Sequence, residues 1–244
     1  MKRRALYFAL AAGFLGWGSG VRDVRAGLIT LPTTLDTLTA SPSNYAIVSN
    51  PAAGESMQFS GFDFNQVTGA PPAANEVTIG AFTLAPPPGE TGLEFTGTFS
   101  AAAGVSNAWV ISYRVDELAP GAKITDAYLH IAGGSNNGGT GTVSVVETFT
   151  TLGGTPLGTL EANLGTPTTT LDFTPPQTSI LVTKNIGVVG GSDGASLTII
   201  DQGFSSTPQA VPEPASIVLF GIGMIGFLPF HRFFKRTSVL TTTQ

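Results

Sequence analysis

Trp109-Val110-Ile111-Ser112-Tyr113-Arg114-Val115 is the stretch on which the fold assignment turns. Its large apolar side chains fall at every second position. Trp109, Ile111, Tyr113 and Val115 therefore share one face, with Ser112 and Arg114 on the other. A strand, in which side chains alternate with period two, gives this pattern; a helix with period 3.6 does not.

The same alternation recurs on both sides. Leu93, Phe95, Gly97 and Phe99 fall on one face. Met57 and Phe59 share a face, and Phe62 and Phe64 share one with the phase shifted across Gly61, which predicts a β-bulge or bend there. Val77 and Ile79, then Phe82 and Leu84, repeat this behaviour around Gly80. Further strands are predicted over 124–131, 142–149, 169–173, 180–189 and 196–200. Turn signals separate them: Pro86-Pro87-Pro88-Gly89, Pro120-Gly121, Gly133 to Gly141 with Asn136-Asn137-Gly138, Gly153-Gly154 and Gly190 to Gly194. Segment 124–149 is compatible with a hairpin around its Gly/Asn loop. That loop is long for a tight hairpin and reads better as a flexible surface loop. No segment carries an apolar helical stripe of useful length. Short strands at this spacing predict an all-β body, an antiparallel β-sandwich of jelly-roll-like type.

Composition agrees. Gly (31) and Pro (17) are abundant in 244 residues and Lys, Glu and Arg are scarce, which disfavours long helices. Cysteine is absent, so disulfides, thiolate metal sites and cysteine nucleophiles are excluded. Charge is unevenly placed. Lys2, Arg3, Arg4, Arg22 and Arg25 lie near the start and Arg232, Lys235 and Arg236 near the end. The body keeps three cations against 14 acids, a balance of −11 against −5 for the whole chain. An acidic body does not bind nucleic-acid backbones or anionic lipid surfaces.

Both ends read as addresses rather than fold. Lys2, Arg3 and Arg4 precede an uncharged apolar run from Ala5 to Gly18, and Val24-Arg25-Ala26 offers small side chains for a signal peptidase, placing cleavage between Ala26 and Gly27. The run is too short to span a bilayer core, which takes about 20 helical residues. The Sec translocon and signal peptidase are the partners this implies. At the other end stand Val211-Pro212-Glu213-Pro214, an apolar run over 215–230, and the basic cluster Arg232, Lys235 and Arg236. The span is marginal for a bilayer, and the flanking cations can snorkel to the headgroups. Cations after the span, with none just before it, place the C-terminus in the cytoplasm and the body outside. The prolines favour an extended segment, the form a protease cleft binds.

That order of motif, span and basic cluster at the C-terminus resembles the PEP-CTERM sorting signal of exopolysaccharide-producing bacteria. The resemblance implies recognition by an exosortase, a membrane-embedded transpeptidase-like enzyme that cleaves near the motif and releases or re-anchors the body. It covers about 26 residues. Eight residues trail the cluster and Pro229 interrupts the span, neither of which breaks the pattern. A simple tail anchor would account for span and charges but leaves Pro-Glu-Pro without a purpose. The segment from Leu181 to Ser205 also resembles bodies that carry this tail, and adds no activity. The expected organisation is a signal peptide (1–26) as an N-terminal helix, a sandwich body (27–204), a linker (205–210), a sorting signal (211–236) with a C-terminal transmembrane helix at 215–230, and a cytoplasmic tail (237–244).

The body offers little catalytic chemistry. His130, its one histidine, sits on the face opposite Leu129 and Ile131 and reads as a structural or surface residue; one histidine makes no typical zinc site, and no Gly-x-Ser-x-Gly elbow is present. Asp116-Glu117 ends a strand and reads as a solvated loop, with calcium as the alternative. Trp109, Tyr113 and Tyr128 are the aromatics that could stack on sugar rings, although Trp109 and Tyr113 share a face with Ile111 and Val115, as core residues do. The reading assigns no catalytic residue, cofactor or metal, and no enzymatic activity. It predicts a structural or polysaccharide-interacting protein of the cell surface or extracellular (biofilm) matrix. The alternative is a secreted hydrolase of matrix polysaccharide that works with carboxylates alone.

Overall fold

A computed structural model describes residues 27–68, 72–84 and 89–207. The signal segment with Val24 and Ala26, the sorting motif Val211 to Pro214, the span 215–230, the basic cluster Arg232, Lys235 and Arg236, and the tail 237–244 lie outside the described residues. Gly27 lies inside them: its carbonyl accepts a hydrogen bond from Tyr45 N–H at 3.1 Å.

In chain order the described elements are β1 (Thr33–Thr34), α1 (Leu35–Thr39), β2 (Tyr45–Asn50), β3 (Glu55–Thr68), β4 (Thr78–Leu84), β5 (Glu90–Ala101), β6 (Ser106–Glu117), β7 (Ile124–Ala132), β8 (Thr142–Thr150), β9 (Pro156–Asn163), β10 (Thr168–Gln177), β11 (Ser179–Val189) and β12 (Ala195–Ser206). They build two antiparallel six-stranded sheets, in the orders β1-β4-β5-β12-β7-β10 and β2-β3-β6-β11-β8-β9. The last eight strands nest: β5 pairs with β12, β6 with β11, β7 with β10 and β8 with β9. A ribbon of four strand pairs rolled over two sheets is the jelly-roll arrangement.

The alternation read from the sequence is what the two sheets bury between them. In β6, Trp109, Ile111, Tyr113 and Val115 are each at most 2% exposed. Phe59, Phe62 and Phe95 gather around Tyr113, and Phe99 meets Trp109 edge-on at 5.3 Å. Both Trp109 and Tyr113 therefore serve the core. The short helix α1 was not legible as strand periodicity. It places Leu35 and Leu38, three residues apart on one helical face, against the core with no exposed surface.

Two glycine positions read alike in the sequence and behave differently. At Gly61 the β3–β6 register slips between Ser60 and Asp63 and the backbone takes φ 61°, so the expected bulge is present. At Gly80 no slip occurs. The β4–β5 register is continuous from Thr78 opposite Thr96 to Leu84 opposite Glu90. Val77 and Ile79 point inward, while Phe82 and Leu84 belong to the other face of an unbroken strand.

Two further expectations are corrected. β7 and β8 lie in different sheets and form no hairpin. The loop between them is held rather than loose: Ser135 and Ser196 form a bridge, Asn137 Nδ2 donates to Asp193 O at 3.2 Å, and Ser192 N–H donates to Thr140 Oγ1 at 3.2 Å. At the end of the body, β12 continues through Ser205 and Ser206, which the sequence placed in a linker. Ser205 Oγ donates to the backbone carbonyl of Gly89 at 2.9 Å and Ser206 N–H to Glu55 Oε1 on β3 at 2.7 Å, so the chain is anchored there to two other segments.

Candidate functional site

The outer face of the sheet containing β4, β5, β12 and β7 brings together groups far apart in sequence. Register fixes one row as Phe82, Gly92, Gly203, Tyr128 and Thr170, from β4 to β10. Three strand spacings, about 14 Å, separate the β4 and β7 backbones. The Phe82 and Tyr128 rings nevertheless stand 5.8 Å apart with planes 7° from parallel. They lean toward each other across the two glycines. A Cβ on Gly203 would come within 2.8 Å of Glu90 Oε2, 2.9 Å of Glu90 Cβ and 3.2 Å of Phe82 Cε1, so glycine here lets Glu90 and the ring sit where they do without a shift.

The adjacent row is Gly80, Glu94, Asp201, His130 and Thr168. His130 is on the outer face, as its neighbours predicted. Its Nδ1 bonds Thr168 Oγ1 at 2.8 Å and its ring lies 6.4 Å from that of Tyr128, planes 27° apart. Around this aromatic set stand carboxyl groups whose proton affinity is raised. Burial, then the neighbouring Glu94 carboxylate, raises Asp201, with His130 and Lys184 acting against them. Burial, then Asp126 and Glu55, pushes Glu90 up to about 8. Burial, then the Asp201 charge, raises the Tyr128 phenol. The face thus offers aromatic surface flanked by hydrogen-bonding groups, several of which hold their protons more tightly than free side chains do.

A second polar set lies inside. Lys184, Glu147 and Gln202 have no exposed surface. Lys184 stands opposite Glu147 across the β11–β8 ladder and its Nζ pairs with Glu147 Oε1. From the facing sheet, Gln202 Oε1 accepts a hydrogen bond from the same Nζ at 3.1 Å. Burial pulls the Lys184 ammonium well below the usual lysine range, with Asp201 acting against it.

Asp116 and Glu117 end up elsewhere, on β6. Arg114 Nε and Ser179 Oγ both donate to Asp116 Oδ1, at 2.8 and 2.5 Å, while Glu117 Oε1 accepts Ala119 N–H at 2.8 Å. The pair turns its oxygens to different partners. Among the described residues no group of three or more His, Cys, Asp or Glu side chains is placed to hold a metal ion. An open depression of about 390 Å³ lies across β8 and β9, lined by Ser144, Glu161 and Asn163 among others. Tyr128 was legible as a stacking aromatic and His130 as outward-facing. Phe82 was missed because a bulge was read at Gly80. The inward phase of Ile180, Val182, Ile186 and Val188 carries Lys184 with it, a signal that could have revealed the buried set.

Residues 210–232 match the family model described as the PEP-CTERM protein-sorting motif. The motif marks the chain as an exported protein associated with the cell envelope. No curated protein matches the chain. Among solved structures the chain is similar to TmCBM61 in complex with beta-1,4-galactotriose, at 15% identity and a TM-score of 0.31, over 59% of this chain and 86% of that one.

Proposed function

We propose that this exported, PEP-CTERM-bearing protein is a non-enzymatic component of the surface matrix, binding neutral polysaccharide through the outer face of β4, β5, β12 and β7. In this reading the Sec translocon exports the chain, signal peptidase cuts after Ala26, and an exosortase processes the tail near Val211 to Pro214. The membrane holds the chain by its C-terminal span until then, with the body on the non-cytoplasmic side.

One observation carries the binding half: the parallel Phe82 and Tyr128 rings, flanked by His130, Glu94 and Asp201 on a solvent-side face. Sugar rings present C–H groups that pack on aromatic faces, and hydroxyls that donate to carboxylates. A body with a balance of −11 repels anionic polymers, so a neutral glycan matches the aromatic face better than an anionic one. The hydrolase alternative draws on Glu90, which stays protonated near neutral pH and feels the Asp126 charge, as a general acid would. Glu90 is only 2% exposed, however, and a buried acid does not reach a polymer.

Affinity electrophoresis through gels containing the producer's neutral polysaccharide tests the binding. Wild-type protein should be retarded, and Tyr128→Ala should weaken retention about tenfold for the loss of one stacking ring. Equal mobility with and without polysaccharide refutes the reading. The sorting half is tested by the mass of the mature protein from its host: a form lacking both ends is expected, with the tail retained when Pro212 and Pro214 are replaced by Ala. An intact tail in both forms would mean a simple anchor.

A further inference from the structure

Lys184, Glu147 and Gln202 converge midway between the sheets, and the sandwich gains little stability from them. A buried ion pair seldom outperforms packed apolar side chains of the same volume, because desolvation offsets the attraction. Yet three strands, β11, β8 and β12, aim polar side chains at one point. Gln202 is also oriented: its Nε2 donates to Tyr128 O at 3.0 Å, leaving the carbonyl toward Lys184 Nζ. Phe95 closes one side, with its ring centroid 5.2 Å from Nζ. The site is dry, crowded and made of an amine, a carboxamide and a carboxyl group.

We propose that Lys184 and Gln202 join in an intramolecular amide bond that covalently ties the two sheets, with Glu147 carrying the proton. Burial lowers the proton affinity of Nζ, with Asp201 acting against it, and so favours release of a proton to give the neutral amine, the nucleophilic form. Nζ attacks Gln202 Cδ, and a C–N bond forms. Glu147, already paired with Nζ, accepts one proton from it, and Nε2, held at Tyr128 O, takes up that proton as it departs. The Cδ–Nε2 bond breaks and Nε2 leaves as ammonia. One C–N bond is made, one is broken and one proton moves between the nitrogens, so no oxidant or reductant is needed. The carboxamide, rather than Glu147, is the acyl donor because its carbonyl carbon is electrophilic and its nitrogen departs as ammonia, whereas a carboxylate carbon is a poor electrophile. The product bridges β11 in one sheet and β12 in the other. In a chain without cysteine it would supply the constraint on the unfolded state that a disulfide gives other exported proteins.

Peptide mapping by mass spectrometry of the mature protein purified from producing cells decides the matter. The expected result is a branched peptide containing Lys184 and Gln202, about 17 Da lighter than its two linear parts through loss of ammonia. Linear peptides alone would overturn the proposal. So would a branch from Lys184 to Glu147, about 18 Da lighter through loss of water. The wild-type map needs no variant to fold. If Glu147→Gln is expressed, it should yield the linear peptides; an undiminished branch would overturn the role given to Glu147.

Discussion

Phe82 and Tyr128 provide the sharpest check on the geometry of the outer face, through Phe82→Ala and Tyr128→Ala made singly and together. No β4–β7 backbone pairing exists, since β5 and β12 lie between them. Direct energetic coupling between positions 82 and 128 therefore passes through the rings rather than through a shared backbone ladder. Parallel rings at 5.8 Å fall within the range in which aromatic pairs add about 0.5–1.5 kcal/mol beyond their buried area. Each ring is half-buried, so each single truncation should cost about 1–2 kcal/mol, well below the 3–5 kcal/mol of a core aromatic. The double variant should then be less destabilised than the sum of the singles by about 1 kcal/mol. Urea denaturation of all four proteins, with m-values compared to confirm a common unfolded state, measures this. In thermal terms the coupling is about 2–4 °C for a body of this size. Strict additivity would mean that the rings do not touch in solution, and the aromatic platform would fall with them.

Other consequences are as direct. Gly203→Ala places a Cβ 2.8 Å from Glu90 Oε2 and 3.2 Å from Phe82 Cε1; it should lower stability by about 1–3 kcal/mol in thermal melts and reduce retention on polysaccharide by displacing Phe82. Glu90 binds its proton more tightly folded than unfolded, so its contribution is fully present below about 4.5 and is lost as pH rises toward about 8. After allowance for residual hydration this is worth about 2 kcal/mol; the melting temperature should fall by about 5 °C from pH 5 to pH 8.5, and Glu90→Gln should flatten that slope. Trp109→Ala removes a fully buried ring set edge-on against Phe99 and should cost about 3–5 kcal/mol in the same denaturation assay.

How much of this was legible in the sequence depends on what each feature is made of. The strands were legible because their cause is local: one face of β6 and one face of β11 are buried, and the chain writes that as alternation. Gly61 was legible for the same reason, since a bulge shifts the phase. Gly80 produced the same phase shift from a different cause, an edge-proximal strand with apolar groups on both faces. Strand order was not legible, because nesting β5 with β12 across about 100 residues leaves no short-range mark. The platform was hidden for that reason too: Phe82 and Tyr128 meet only once β5 and β12 have been inserted between their strands. The inner cluster was half-legible. Period two sends Lys184 inward, but it does not say that Glu147 and Gln202 arrive at the same place.

Hydroxyl-radical footprinting of the mature protein, with and without neutral polysaccharide from the producing cell, tests the binding face most directly, because aromatic and imidazole side chains report their own exposure. The account predicts that the polysaccharide lowers labelling at Phe82, Tyr128 and His130 and leaves the β8–β9 depression around Glu161 and Asn163 unchanged. Unaltered labelling at those three residues, or protection at the depression instead, would contradict it.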